Sequence, residues 1–137
     1  MIHVSGDIYA IAYEGQGSDG YLKTVEIEEN GNINNTVIET MMFDGSKGQE
    51  PEFIHVSGGI FALAYSGDGD TGRLITVEIA SDGSIVDPTV DAWEFSAYCK
   101  TPRIICVTNN YYVISYRGSG NVGYLTTAHI ANNGDIY

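Results

Sequence analysis

The stretch Ile2-His3-Val4-Ser5-Gly6 decides the fold, because the chain repeats it 52 residues later as Ile54-His55-Val56-Ser57-Gly58. Without a gap, residues 2–33 match residues 54–85 at 19 of 32 positions and residues 105–136 at 15 of 32. Ungapped identity at this level, found twice over, identifies three copies of one unit.

Within each unit, apolar residues recur with the two-residue period of β-strands. No apolar stripe of helical period is long enough for a helix, so we expect an all-β protein. In the second unit the pattern predicts four strands: Phe53–Ser57, Ile60–Tyr65, Leu74–Ile79 and Thr89–Phe95. Gly58-Gly59 supplies a tight hairpin turn between the first two. The predicted division is one repeat domain, 1–137, made of units 1–50, 51–101 and 102–137.

The third unit is short of one strand. Its last residues, Asn133–Tyr137, fall where a fourth strand should start, so the prediction is eleven strands in units of four, four and three. Four antiparallel strands in about 50 residues, repeated along the chain, are the pattern of β-propeller blades.

The chain resembles the β-propeller superfamily in these repeated strands and in the pattern Tyr-x-Gly-x-Gly-x-x-Gly-x-Leu. That pattern lies at Tyr13–Leu22, Tyr65–Leu74 and Tyr116–Leu125. The resemblance covers nearly the whole chain, but only as architecture: the Trp-Asp dipeptide of WD40 repeats is absent, and no functional family is indicated. A β-trefoil, which also has three units of four strands, is the alternative fold, although trefoil units are usually shorter.

Three blades do not close a propeller ring, which usually has about 4–8. An unclosed ring would expose the apolar faces of its end blades to water. We therefore expect either that partners complete the ring or that the polypeptide is a segment of a longer protein. The simplest partner is a second copy, because a homodimer supplies six blades.

Charge excludes one class of partner. Acidic residues outnumber basic ones by 18 to 6, for a formal net charge of −12. Nucleic-acid binding draws its affinity from Lys and Arg, so no nucleic acid is expected. No apolar run reaches the ~20 residues of a membrane helix, and Met1–Ser5 lacks the regions of a signal peptide. Membrane insertion is not expected, and the location is left open between the cytoplasm and a larger secreted protein.

In a meander of strands, the loop between the second and third strands and the connection between units lie at the same end. We name this end the long-loop face and expect any ligand to bind there, because its loops are long and differ between units. The candidate contact residues are polar or aromatic: Ser18, Asp19, Tyr21, Asp68, Asp70, Arg73, Asn121 and Tyr124. Tyrosines here suit stacking on a sugar ring, although packing between blades is their commoner use.

We expect no metal and no cofactor. Asp68 and Asp70 lie close together, but this pair does not recur in the other units and lacks the frame of a calcium loop. His3, His55 and Cys106 occupy equivalent positions on the first strands, at a spacing that carries no zinc specificity. We interpret them as polar positions beside a water-filled channel.

The two cysteines, Cys99 and Cys106, flank Pro102 and have no counterparts in the other units. Either they pair across the connection between units or both are free thiols.

The recurrent carboxylates do not indicate catalysis. Glu26 and Glu78 occupy matched positions on the third strands, and Glu39 and Asp91 do so on the fourth. We interpret all four as polar edge residues that discourage aggregation. No asymmetric His/Asp/Glu or Ser/His grouping is evident, so we do not expect an enzyme. The expected function is a non-catalytic binding or adhesion module, with glycans as candidate ligands, that assembles into a closed ring. The alternatives are a propeller fragment or assembly protein without a ligand, and a propeller hydrolase subunit.

Overall fold

The computed structural model describes residues 1–137 apart from the side chains of Asn35 and Asp87. It confirms the prediction of an all-β protein of eleven strands. The strands are β1 Ile2–Ser5, β2 Ile8–Glu14, β3 Gly20–Ile27, β4 Ile33–Asp44, β5 Gln49–Ser57, β6 Ile60–Ser66, β7 Gly72–Ile79, β8 Ile85–Ser96, β9 Lys100–Thr108, β10 Tyr111–Arg117 and β11 Gly123–His129.

Consecutive strands pair antiparallel in three separate sheets of four, four and three strands: sheet 1 (β1–β4), sheet 2 (β5–β8) and sheet 3 (β9–β11). The strand groups are blade-like, as predicted. The described strands of different sheets do not pair with one another and form no closed barrel, which argues against the trefoil alternative.

The first and fourth strands of the second unit begin earlier than the sequence pattern predicts, and β8 begins at Ile85 rather than Thr89. β5 begins at Gln49 rather than Phe53, and the β5–β6 pairing is irregular between Gln49 and Glu52. Glu50 has a φ of 52°, so the strand bulges immediately before Pro51. Proline has no N–H to donate, and it is tolerated because β5 is an edge strand.

Sheet 2 is packed between the other two, and both of its faces are apolar. One core joins sheets 1 and 2 through residues such as Leu22, Phe61 and Leu63. The other joins sheets 2 and 3 through residues such as Leu74 and Ile114. Alternate residues of a strand point to opposite faces, so β6, buried along its whole length, is apolar on both.

The two joints, the first between sheets 1 and 2 and the second between sheets 2 and 3, are built alike. At the first, the buried Thr24 Oγ1 donates to the Gly83 carbonyl at 2.6 Å. At the second, the equivalent Thr76 donates to the Gly134 carbonyl at 2.7 Å. A hydroxyl that finds its acceptor in the next sheet fixes the offset between sheets, because leaving it unpaired in the core is costly.

The carboxylates of Glu39 and Asp91 have a different role from the one that the sequence predicts. The Glu39 carboxylate accepts the backbone N–H of Ile85 at 2.6 Å, and the Asp91 carboxylate accepts that of Ile136 at 2.8 Å. The interpretation of these two residues as edge decoration is therefore wrong. They join each outer strand to the next sheet.

Among the described residues, no helix is long and apolar enough to span a membrane.

Candidate functional site

The long-loop face lies where the sequence places it. The backbone N–H of Gly48, in the connection between the first two units, donates to the Ser18 carbonyl at 2.8 Å. At the next joint, the N–H of Cys99 donates to the Asp70 carbonyl at 2.6 Å. The loop between second and third strands therefore contacts the connection into the next unit at both joints.

The loops that join the second and third strands of each unit, β2–β3, β6–β7 and β10–β11, share one conformation and are called the β2–β3-type loops. In each, a glycine and the residue after it both have positive φ, and an N–H to C=O bond of 2.8 Å closes the loop. The pairs are Gly17-Ser18, Gly69-Asp70 and Gly120-Asn121. The second residue is short and polar in every unit, and Asp and Asn tolerate the left-handed region better than most residues. The recurrent glycines therefore serve backbone geometry, and the polar residue beside each one differs between units.

Asp70 is the most connected of the predicted contact residues. Its Oδ1 accepts from Lys47 Nζ and, at 2.8 Å, from Lys100 Nζ. These hydrogen bonds, with that from Lys100 the larger cause, hold the pKa of the Asp70 carboxyl below its ordinary value. The same bond raises the pKa of Lys100. Asp70 therefore connects sheet 2 to the segments before β5 and at the start of β9.

The first joint has a version of this contact in which an amide replaces the ammonium group. Gln49, the equivalent of Lys100 at the start of its strand, donates from Nε2 to Glu14 Oε1 at 2.8 Å and to Ser18 Oγ at 3.3 Å. Ser18 occupies the position of Asp70 in its own loop. Two predicted ligand contacts, Ser18 and Asp70, thus bind the connection between units.

Three further predicted residues have partners inside their own unit. Arg73 Nη2 lies 3.4 Å from Glu94 Oε2, and Asn121 Oδ1 accepts from Arg117 Nη1 at 3.3 Å. Asp68 is exposed, and its backbone carbonyl accepts the Thr71 hydroxyl.

The remaining predicted residues form aromatic pairs. Tyr21 stacks on Tyr13 with ring centroids 5.8 Å apart and its hydroxyl lies 3.5 Å from the Asp19 carboxylate. Tyr124 stacks on Tyr116 at 5.7 Å. The eight predicted residues therefore lie in three separate loop clusters, one for each unit, and do not form a single site.

Two cavities adjoin the third cluster. A groove of about 550 Å³ lies on sheet 3 and is lined by Thr101, Ser115, Tyr116, Arg117, Asn121, Gly123, Tyr124 and Leu125. A smaller cavity of about 230 Å³ lies between sheets 2 and 3 and is lined by Ser96, Ala97, Tyr98, Tyr116, Gly118, Ser119 and Tyr124. Asn121 and Tyr124 are the predicted contact residues that line them.

The smaller cavity differs from the corresponding place at the first joint in two residues. At the first joint the Tyr65 hydroxyl donates to Asp44 Oδ2 at 3.1 Å, and burial, aided by that carboxylate, raises the pKa of Tyr65. At the second joint the equivalent of Asp44 is Ser96, whose hydroxyl donates instead to the Tyr98 carbonyl at 2.9 Å. Tyr124 stands where sheet 2 has Arg73. The result is a cavity with three tyrosines in its walls: Tyr98, Tyr116 and Tyr124.

The histidines of the inner strands make local contacts. His3 Nε2 lies 2.7 Å from the Gly6 carbonyl, and His55 Nε2 lies 2.9 Å from that of Gly58. Among the described residues, no group of three or more His, Cys, Asp or Glu is arranged to hold a metal ion.

Both cysteines are free thiols, which decides between the two alternatives. Cys106 is exposed, whereas Cys99 is buried, and burial raises the pKa of Cys99 to about 12.

Sequence reasoning missed the basic and amide side chains at the joints. They are Lys47, Gln49 and Lys100, which lie just before or at the start of the first strand of a unit. No recurrent motif marks them, because equivalent positions in different units carry different residue types. The only available signal was position: each lies within a few residues of Pro51 or Pro102.

No protein-family model matches this chain, and no curated protein matches it significantly in sequence.

Proposed function

We propose that this protein is a non-catalytic β-propeller module in which two chains close a six-bladed ring. One observation carries the proposal. Leu22 and Leu74 are fully buried in the two joints, whereas their equivalent in the third unit, Leu125, is 75% exposed. Sheet 3 therefore presents the same apolar contact residue as sheets 1 and 2, but without a following sheet to cover it.

Other residues on this face of sheet 3 are also exposed where their equivalents in sheets 1 and 2 are covered. We define the open face of sheet 3 by Ile105, Val107, Leu125 and Thr127. Ile105 and Val107 are 61% and 58% exposed, whereas their sheet 2 equivalents pack against the second core. Thr127 repeats Thr24 and Thr76, the hydroxyls that cross the two joints, and it is exposed.

Sheet 1 carries the complementary surface. We define its open face by Tyr9, Ile11, Tyr13 and Val25, the alternate residues that point away from sheet 2. Their equivalents in sheet 2 are the buried Phe61, Leu63, Tyr65 and Val77. The open face of sheet 1 thus repeats the surface that sheet 2 presents to sheet 1, and in the proposed ring it covers the open face of sheet 3 in another copy.

The proposed contact is heterologous, so it closes only if rotation about the axis completes a ring. Two chains give six blades, inside the usual range of about 4–8, whereas three chains would give nine. Fully burying one large apolar side chain contributes about 1.5–3 kcal/mol before the cost of association. Two chains together carry twice the charge of −12, but salt screens most of that repulsion beyond ~8 Å.

Light scattering on the purified chain tests this proposal. We expect twice the chain mass of 14.8 kDa at micromolar concentration. Leu125→Asp and Ile11→Asp, on the two open faces, should each give monomers with an unchanged β-sheet spectrum. Val86→Asp is the matched control, because Val86 is an exposed apolar residue on the outer strand of the central sheet. A folded wild-type monomer under these conditions would refute the ring.

We propose as a second function that the 230 Å³ cavity binds a neutral monosaccharide. Tyrosine walls suit the apolar face of a sugar ring. The Tyr65 hydroxyl donates to the Asp44 carboxylate, whereas Tyr116 has Ser96 at the equivalent position. A sugar hydroxyl would therefore accept the hydrogen bond that the Tyr116 hydroxyl donates. A titration with a panel of monosaccharides, followed by tyrosine chemical shifts, tests it. Tyr124→Ala should abolish binding, and Tyr21→Ala in the first unit should not. Binding that survives Tyr124→Ala would contradict this assignment.

A further inference from the structure

The 550 Å³ groove on sheet 3 corresponds to positions that the chain itself fills at both of its joints. At the first joint the occupant is residues 48–52, and at the second it is residues 99–103. Each occupant is the residue before the first strand of a unit together with the first four residues of that strand, and its third residue, Glu50 or Thr101, has a positive φ. Both carry a proline, which is fully buried at Pro102.

Two contacts are the same in both occupants, and a third is made at the second joint. The first residue of each occupant donates a backbone N–H to a loop carbonyl, of Ser18 or Asp70. Its second residue, Gln49 or Lys100, bonds the side chain at that same loop position. The third contact is resolved at the second joint, where the N–H of Thr101 donates to Glu50 Oε2 at 2.6 Å.

The groove on sheet 3 presents the equivalent of every one of these partners. Asn121 repeats the loop position of Ser18 and Asp70 with the same positive φ. Thr101 repeats the position of Glu50 and offers its side-chain oxygen as an acceptor. Leu125 adds an apolar side chain to the lining of the groove, and Ser115 adds a small polar one.

Arg117 differs from its equivalents in the first two units, and this difference determines which side chain the groove would accept at the second residue of an occupant. It stands where the first two units have Glu14 and Ser66, and it lines the groove as an exposed guanidinium. In the first unit Glu14 bonds the amide of Gln49, the second residue of the occupant. A guanidinium in that place instead selects a carboxylate on the second residue.

We propose that this groove binds an extended peptide, supplied in trans, with an acidic second residue and a proline two positions after it. Peptide binding needs only sheet 3, although it rests on the same equivalence of the three units as the ring of the proposed function. The chain is strongly acidic, so nonspecific attraction would favour a basic peptide. A preference for the acidic peptide is therefore diagnostic of Arg117.

The test uses fluorescein-labelled peptides of residues 48–53 that carry either Gln49→Glu or Gln49→Lys, titrated with the Ile11→Asp chain. That variant cannot close the ring but leaves sheet 3 intact, so peptide binding is measured independently of assembly. We expect saturable binding of the acidic peptide, about two- to fivefold tighter than the basic one. Arg117→Glu should invert the preference, and Leu125→Asp should weaken both peptides.

Lys23→Glu is the matched control, because it changes the net charge equally on sheet 1 and should leave the preference unchanged. If neither peptide binds, or if Arg117→Glu leaves the preference intact, the groove is not a peptide site. That outcome would not affect the ring, which the wild-type mass tests separately.

Discussion

At the scale of single residues, Asp70 shows how one position of the repeat acquires a structural role that its equivalents lack. Ser18 and Asn121 have the same backbone conformation, but only Asp70 receives two ammonium groups. Three charges in one cluster at the second joint neutralise part of a strongly acidic molecule where its segments meet. We therefore assign Asp70 a structural role at the joint.

Replacing this carboxylate gives a pH-dependent prediction. The pKa of Asp70 is lowered in the folded chain, so its ion pairs stabilise the fold fully above the unfolded pKa near 3.9 and are lost as the pH falls through the folded pKa. Asp70→Asn should reduce stability at pH 7, and the difference from wild type should shrink below about pH 4. Urea unfolding from pH 7 to pH 2 measures this difference.

Asp68→Asn is the control, since its side chain is exposed and only its backbone carbonyl is bonded in the loop. A difference between wild type and Asp70→Asn that stays constant down to pH 2 would contradict the ion-pair explanation.

At the scale of strands and turns, the first residue of each third strand depends on the strand beside it. Gly20 and Gly72 open β3 and β7, and a Cβ on either would overlap the ring of Phe43 or Phe95 from the fourth strand. Gly123 opens β11, and a Cβ there would meet no atom within 4 Å. The glycine is thus a packing requirement only where a fourth strand is present.

This contrast predicts opposite effects for the same substitution. Gly72→Ala should destabilise the fold by about 1–3 kcal/mol, because the added methyl group overpacks the contact with Phe95. Gly123→Ala should be neutral or stabilise by roughly 0.4–1 kcal/mol, because alanine reduces the freedom of the unfolded chain. Chemical denaturation of the two variants measures both values, and equal losses would contradict the packing explanation.

At the scale of the whole molecule, stacking decides which apolar surfaces are satisfied. Sheet 2 has a neighbour on both faces, whereas sheets 1 and 3 each have one. Leu125 on the open face of sheet 3 is 75% exposed, whereas its equivalents Leu22 and Leu74 are fully buried. Association that covers both open faces would therefore stabilise the fold itself.

Because association would stabilise the fold, the melting temperature is expected to depend on protein concentration. If the ring forms, the wild-type Tm should rise with protein concentration by mass action, because the assembled state is favoured over unfolded chains. The Tm of Leu125→Asp should be lower and independent of concentration, whereas Val86→Asp should keep the dependence. Calorimetry over a hundredfold range of concentration checks this, and a wild-type Tm that does not change with concentration would argue against coupling.

The sequence by itself determined the three units, the eleven strands and the turns, because strand period and glycine conformation are local properties of a few neighbouring residues. It also placed the β2–β3-type loops and the connections between units at one end. Only the tertiary structure decided which side chains serve the joints. Lys47 and Lys100 meet Asp70 across 23 and 30 residues, and Glu39 meets Ile85 across 46. Such pairs depend on the distance between stacked sheets, which no local pattern encodes.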